Sequence, residues 1–272
     1  MFGFIGAGNM VSAIATGAFN AGFLTPENCI FTDKTARRAP QLAAALQATY
    51  LTDNYQVAQQ SDVLILGVKP NVILDVLADI SDIIQERQPL VISLAAGTSL
   101  ADLETVAGPG VPVIRFMPNV NASIGKSVTA LCVGAHASEE HRALATAFAE
   151  TFGDCLEINE AYMSTFTALA GSSPAWIFEL IDSFAMAGVK NGLSKTEAVQ
   201  IVAQTFIGSA SLVLNKLESQ ALTPNNLIDQ VCSPGGTTIA GLLALRSASA
   251  GTAITAAVDA CINRDKELGA QK

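Results

Sequence analysis

Charge is scarce in this chain. Of its 272 residues only 14% are Asp, Glu, Lys or Arg, against 50% apolar ones. Histidine is scarcer still. His136 and His141 flank a predicted loop and helix start, which leaves a Ser-His-Asp hydrolase almost without support. The five cysteines (Cys29, Cys132, Cys155, Cys232 and Cys261) are odd in number and contain no Cys-x-x-Cys pair. That pattern excludes a structural zinc ribbon, and the simplest reading is a reduced, cytoplasmic protein with no metal. No apolar run reaches the roughly 18 residues a membrane span needs. The first 26 residues are uncharged, but they hold five glycines, two asparagines and no basic start, unlike a signal peptide. Positive charge is also short: the net charge of -9 disfavours nucleic acid and anionic lipid as partners. With membranes set aside, so apolar a composition favours burial between subunits.

The chain is long enough for two domains. Its opening, Gly3-Phe4-Ile5, reads as a short strand that runs into Gly6-Ala7-Gly8-Asn9-Met10 and then a helix to Gly22. A strand, a Gly-x-Gly turn and a helix form a dinucleotide-binding start: the first glycine makes the turn, and the second admits a pyrophosphate to the helix N-terminus. The third fingerprint position is Val11, which predicts a helix pushed slightly off the strand. A second strand, Cys29–Thr32, ends at Asp33-Lys34, followed by Arg37 and Arg38. The acid suits the ribose hydroxyls of NADH and the cations suit the 2′-phosphate of NADPH, so the choice stays open.

Apolar runs at Asp62–Val68, Leu90–Leu94 and Val113–Met117 alternate with helical patterns, which implies a doubly wound parallel sheet completed by Ser127–Val133 and Asp154–Ile158. Ligands of such sheets lie beyond the carboxyl ends of the strands. Those ends carry Val68-Lys69-Pro70, Ala95-Ala96-Gly97 and Pro118-Asn119, small or rigid residues fit to lie against a flat ring. Past Glu157 strand patterns stop, and helical periodicity continues to the C-terminus. The expected division is therefore a nucleotide domain over 1–157 and a helical domain over 158–272. These helices are apolar on more than one face, which predicts a dimer.

Within the helical half, Cys232-Ser233-Pro234-Gly235-Gly236-Thr237-Thr238 precedes an apolar helix. Pro234 and the glycines leave the approach to that helix bare, and its first N–H groups lack intrahelical partners. Such a start attracts a small anion such as a carboxylate; the plain alternative is a Gly-rich connection between helices. Cys232 is read as a small packed thiol rather than a nucleophile.

Taken together, Gly3–Met10, Val68-Lys69-Pro70, Ser93–Gly97, Met117-Pro118-Asn119, Gly171-Ser172-Ser173-Pro174-Ala175 and Val231–Thr238 resemble the pyrroline-5-carboxylate reductase family, in that family's order and over nearly the whole length. The resemblance implies a Rossmann-type N-terminal domain, a helical C-terminal dimerisation domain, and NAD(P)H-dependent reduction of 1-pyrroline-5-carboxylate to L-proline. It implies cofactor contacts from Gly6, Ala7, Gly8, Asn9, Met10, Asp33, Lys34, Asn54, Val68, Lys69, Pro70, Ala95, Ala96, Gly97 and Gln230. It implies substrate contacts from Asn119, Val231, Ser233, Gly235, Gly236, Thr237 and Thr238, with Thr238 and Glu160 as the catalytic pair. NADPH is the expected cofactor, NADH the alternative, and a homodimer or an assembly of dimers the expected state. Val120-Asn121 and Trp176 depart from the family's common pattern near the expected pocket. A reductase of a related imino or hydroxy acid, or a non-catalytic nucleotide-binding sensor, are the competing readings; the Gly-x-x-x-Asn-x-x-Lys helix of β-hydroxyacid dehydrogenases does not occur.

Overall fold

The computed structural model describes residues 1–220 and 222–270. Two compact units divide the chain: Met1–Pro174 with Asp259–Lys272, and Ala175–Val258.

The first unit is built on one eight-stranded sheet of order β3-β2-β1-β4-β5-β6-β7-β8. Its strands are β1 (Phe2–Ile5), β2 (Cys29–Thr32), β3 (Thr49–Tyr50), β4 (Val63–Leu66), β5 (Leu90–Ser93), β6 (Val113–Met117), β7 (Ser127–Val133) and β8 (Gly153–Glu157). Strands β1, β2, β4, β5 and β6 are buried along their whole length, as parallel strands covered on both faces must be. Helices α1 (Asn9–Asn20), α2 (Arg38–Leu46), α3 (Asn54–Gln60), α4 (Ile73–Asp79), α5 (Ser81–Arg87), α6 (Leu100–Ala107) and α7 (Glu139–Glu150) connect them. One apolar cluster centres on Phe148, whose ring lies 5.4–6.5 Å from those of Phe2, Phe4, Phe23, Phe116 and Phe152. The other gathers Leu64, Leu66, Val91, Leu77 and Leu103. At about 1.5–3 kcal/mol for each fully buried large aliphatic side chain, these two layers dominate the unit's stability.

Three local features differ from the sequence reading. Strand β7 runs antiparallel to β6, because only a 3₁₀ turn (Val120–Ile124) joins them and a parallel return needs a long crossover. The sequence pattern over 71–84 is that of one helix, but the chain breaks at Ile80 into α4 and α5. Val11 does not push α1 off the sheet. A Cβ on Gly67 would lie 2.0 Å from Val11 Cγ2, so the missing side chain at position 67 makes the room. The compact unit built on the sheet runs past residue 157. Residues 158–174 stay with the sheet, where Met163, Thr167, Ala168 and Ala170 are buried, and so does the end of the last helix.

A π-helical turn (Thr167–Ser172) lies between α8 (Met163–Phe166) and α9 (Ser173–Lys190), where Gly171 and Pro174 disturb the helical pattern. Pro174 has no N–H to give to the carbonyl of Leu169, and the Ser173 hydroxyl takes that carbonyl at 2.5 Å instead.

The second unit is helical: most of α9, then α10 (Lys195–Gln220), α11 (Pro224–Val231), α12 (Thr237–Ser247) and the first half of α13 (Ala250–Ala270). Ser194 and Glu197 have the spacing of a capping box, and it forms, with the Ser194 hydroxyl 2.6 Å from the Glu197 carboxylate. Large apolar side chains stand in the open: Phe178, Phe184, Ile207 and Leu214 are more than half exposed. Helix α10 is by length and composition the one helix among the described residues that could cross a membrane unbroken.

Candidate active site

Between β1 and β4 the strand order reverses, and the carboxyl ends of these strands open a crevice. Gly6 holds φ +94°, donates its N–H to the Thr32 carbonyl at 2.8 Å, and passes so close to Gly67 that a Cβ would lie 2.7 Å from the Gly67 carbonyl. Only glycine serves there. Two residues on, a Cβ at Gly8 would meet nothing within 4 Å; it would project into open space above the start of α1. No side chain caps α1 and no acid sits in its first turn, so its free N–H groups form an anion site. The Thr32 hydroxyl, buried beside this turn, finds no hydrogen-bond partner among the described residues. An open glycine cradle, a bare helix start and an orphaned buried hydroxyl fit a dinucleotide.

A cavity of about 490 Å³ continues from Gly6 past Asp33, Lys34, Asn54 and Val68. It joins five of the expected cofactor residues and adds Thr52, Tyr55 and Asp75, which motif reading missed because they belong to no recognisable pattern. Asp33 is not idle there. Its carboxylate accepts the N–H groups of Arg37 at 3.3 Å, Arg38 at 2.9 Å and Ala39 at 2.8 Å, which caps α2. The Arg38 guanidinium reaches back to Asn9 Oδ1 at 3.1 Å, at the first turn of α1. Hydrogen-bonding capacity in the acid is thus largely spent, while Lys34 and Arg37 are exposed. The balance favours a 2′-phosphate over bare ribose hydroxyls.

Further along the sheet edge, Lys69 is exposed and stands before the 3₁₀ turn that Pro70 opens. The loop Ala95-Ala96-Gly97 leaves β5 with Gly97 at φ +65°. Asn119 is buried: its side chain accepts the Asn121 N–H at 3.0 Å and its own N–H goes to the Ser127 hydroxyl. Glu160 is engaged within the sheet unit. It accepts the Leu100 N–H at 2.7 Å at the start of α6 and is paired with the buried guanidinium of Arg115. That pair neutralises its charge and ties β6, α6 and the 160–162 turn together. Sequence reading passed over Arg115, although a cation inside the apolar run Val113–Met117 was the signal.

In the helical unit, Ser233-Pro234-Gly235-Gly236 forms a turn closed by the Gly236 N–H on the Ser233 carbonyl at 3.1 Å. Pro234 takes its second position, and Gly235, at φ +68°, its third. Gly236 starts α12 with no side-chain cap, so the first N–H groups of that helix, Thr237 and Thr238 among them, are free of intrahelical partners. A Cβ on Gly235 would meet nothing within 4 Å. Thr238, with Val231 and Cys232, borders a groove of about 350 Å³ that Leu212, Leu227 and Leu242 line. Gln230 and Val231 lie exposed at the end of α11. Burial pushes the thiols of Cys29 up to about 12 and of Cys132 and Cys155 up to about 11, which makes all three inert as nucleophiles.

Two family models match the chain: pyrroline-5-carboxylate reductase dimerisation over residues 160–268, and NADP oxidoreductase, coenzyme F420-dependent, over residues 1–97. The chain is 36% identical to a pyrroline-5-carboxylate reductase of Methanosarcina acetivorans, over 98% of its own length and 97% of the relative's. It is 34% identical to that of Glycine max, over 98% and 95%. Among solved structures, the 1-pyrroline-5-carboxylate reductase of Streptococcus pyogenes superposes with a TM-score of 0.86 at 39% identity, over 98% of both chains. The Plasmodium falciparum pyrroline carboxylate reductase, solved with NADP bound, gives 0.87 at 28% identity, over 98% and 97%.

Proposed function

This chain belongs to the pyrroline-5-carboxylate reductase family, and from that premise we propose how its residues carry out the NADPH-dependent reduction of 1-pyrroline-5-carboxylate to L-proline, the last step of proline biosynthesis. The carrying observation is a pair of bare helix starts, α1 in the sheet unit and α12 in the helical unit, each approached through glycine and each lacking a side-chain cap.

NADPH supplies the hydride. The N–H groups at the start of α1 take its diphosphate, with Gly8 leaving room for it. Lys34 and Arg37 face the 2′-phosphate, with Arg38 held nearby through Asn9, while Asp33 holds the loop that carries both arginines. Asn54 lies at the ribose, and Val68-Lys69-Pro70 and Ala95-Ala96-Gly97 give the nicotinamide a flat wall. The substrate carboxylate takes the free N–H groups of Thr237 and Thr238, and Ser233, whose carbonyl holds the Gly236 N–H, shapes that turn. Protonated at nitrogen, the cyclic imine is already an electrophile, so alignment at about 3–3.5 Å does most of the work. The Thr238 hydroxyl accepts the imine N–H and fixes the ring. Glu160, with its charge shared with Arg115, serves as a brace for the loop before α6.

A second copy of the chain covers the apolar faces of α9, α10 and α12. The support for a homodimer over a lipid-covered α10 is the dimerisation family model over 160–268. Five unpaired cysteines suit the cytoplasm.

Purified protein mixed with NADPH and 1-pyrroline-5-carboxylate is expected to consume the nicotinamide absorbance, and more slowly with NADH. Thr238→Ala is expected to lower kcat/KM by about tenfold or more, roughly 1.4 kcal/mol. A change within about twofold removes the hydroxyl from the mechanism.

A further inference from the structure

The loop Ala95–Ser99 is braced from two directions inside the sheet unit. On one side Glu160, anchored by Arg115, accepts the N–H of Leu100 directly after the loop. On the other lies the end of α13. There two glycines meet main chain to main chain: a Cβ on Gly269 would lie 3.2 Å from the Gly97 carbonyl oxygen, and a Cβ on Gly97 would lie 3.4 Å from Gly269 N. Gly97 is also held at φ +65°, a conformation in which any other residue is strained. The loop ends a central strand of the sheet, at the edge where its ligands bind.

From this contact we infer that Gly269 is a positioning residue for the cofactor. Its missing side chain lets the last turn of α13 seat on the Gly97 peptide, and that seat sets the height of the Ala95-Ala96-Gly97 wall against the nicotinamide. The Ser93 hydroxyl holds the Ala95 N–H at the β5 end and the Ser99–Asp102 capping box holds the α6 end, so Gly97, between them, takes its height from the helix packed on it. With a bulkier residue at 269 the helix displaces the Gly97 carbonyl, and the wall moves with it. Displacements of about an ångström in a hydride-transfer site are enough for losses approaching a hundredfold. The inference rests on the NADPH-reductase reading above.

Two ligands separate positioning from general damage. NADP⁺ spans the nicotinamide wall, whereas adenosine 2′,5′-bisphosphate occupies only the Asp33–Asn54 end. Titration of the full-length protein followed by calorimetry is expected to show Gly269→Val binding NADP⁺ about tenfold more weakly while its affinity for the bisphosphate stays within about twofold. Gly269→Ala, whose single methyl needs only a few tenths of an ångström, is expected to lie between the two. The KM for 1-pyrroline-5-carboxylate is expected to stay within about twofold in both variants. Equal losses for both ligands, or no loss for NADP⁺, overturn the inference. Wild-type protein that binds neither ligand overturns the cofactor reading itself, a separate outcome.

Discussion

The starts of α1 and α12 are the same device in two settings. Each is a helix approached through glycine, with no side-chain cap and a left-handed glycine nearby at φ +94° or +68°. Around α1 the chain supplies its own walls: Gly6 lies against Gly67, Val11 fills the space above Gly67, and the strands on either side are buried. Around α12 it supplies almost none, since nothing approaches within 4 Å of where a Gly235 side chain would stand, and the neighbouring helices expose Ile207, Leu212 and Leu214. The nucleotide half is thus a finished core that offers a site. The helical half leaves large apolar side chains in the open around its helix start. A bare helix start is therefore not a site by itself; what surrounds it decides how it fails.

Substitution should expose that difference. Gly6→Val carries the largest effect: its Cβ meets the Gly67 carbonyl in a left-handed backbone, and overpacking plus strain cost about 2–5 kcal/mol. Thermal unfolding and NADP⁺ binding are both expected to suffer. Gly235→Ala has the same backbone problem without the clash, about 1–2 kcal/mol. Its expected signature is a KM for substrate raised roughly five- to thirtyfold with an unfolding temperature close to that of wild type. Should Gly235→Ala unfold the protein as Gly6→Val does, the two settings are not different after all. Asp33→Asn is the mildest. Because the acid caps α2, kcat/KM with NADPH and with NADH should fall together by less than about threefold. A tenfold rise in the NADPH-to-NADH ratio would make Asp33 a discriminator and not a cap.

Much of this was readable from local pattern. The limits of β2 and β6 coincide with their apolar runs, and the capping box at Ser194 lies where the spacing puts it. What local pattern cannot carry is a partner far away in the chain. The pairing of Glu160 with Arg115 was hidden because the two are 45 residues apart. Val11 looked like a misfit because the glycine that accommodates it is on another strand's end. Asp33 left the cofactor choice open because nothing in its spacing shows that three amides fold back onto it. The antiparallel β7 follows from a connection too short to cross over, a length that was visible but outvoted by the alternating pattern before it.

The most direct test is to watch the two helix starts report on two ligands. In amide-resolved NMR spectra of the full-length protein, L-proline is expected to shift the N–H signals of Gly236, Thr237 and Thr238 and leave those of Gly8, Asn9 and Met10 in place, while NADP⁺ is expected to move the second set. Proline that shifts the α1 amides, or leaves the α12 amides where they were, contradicts the account.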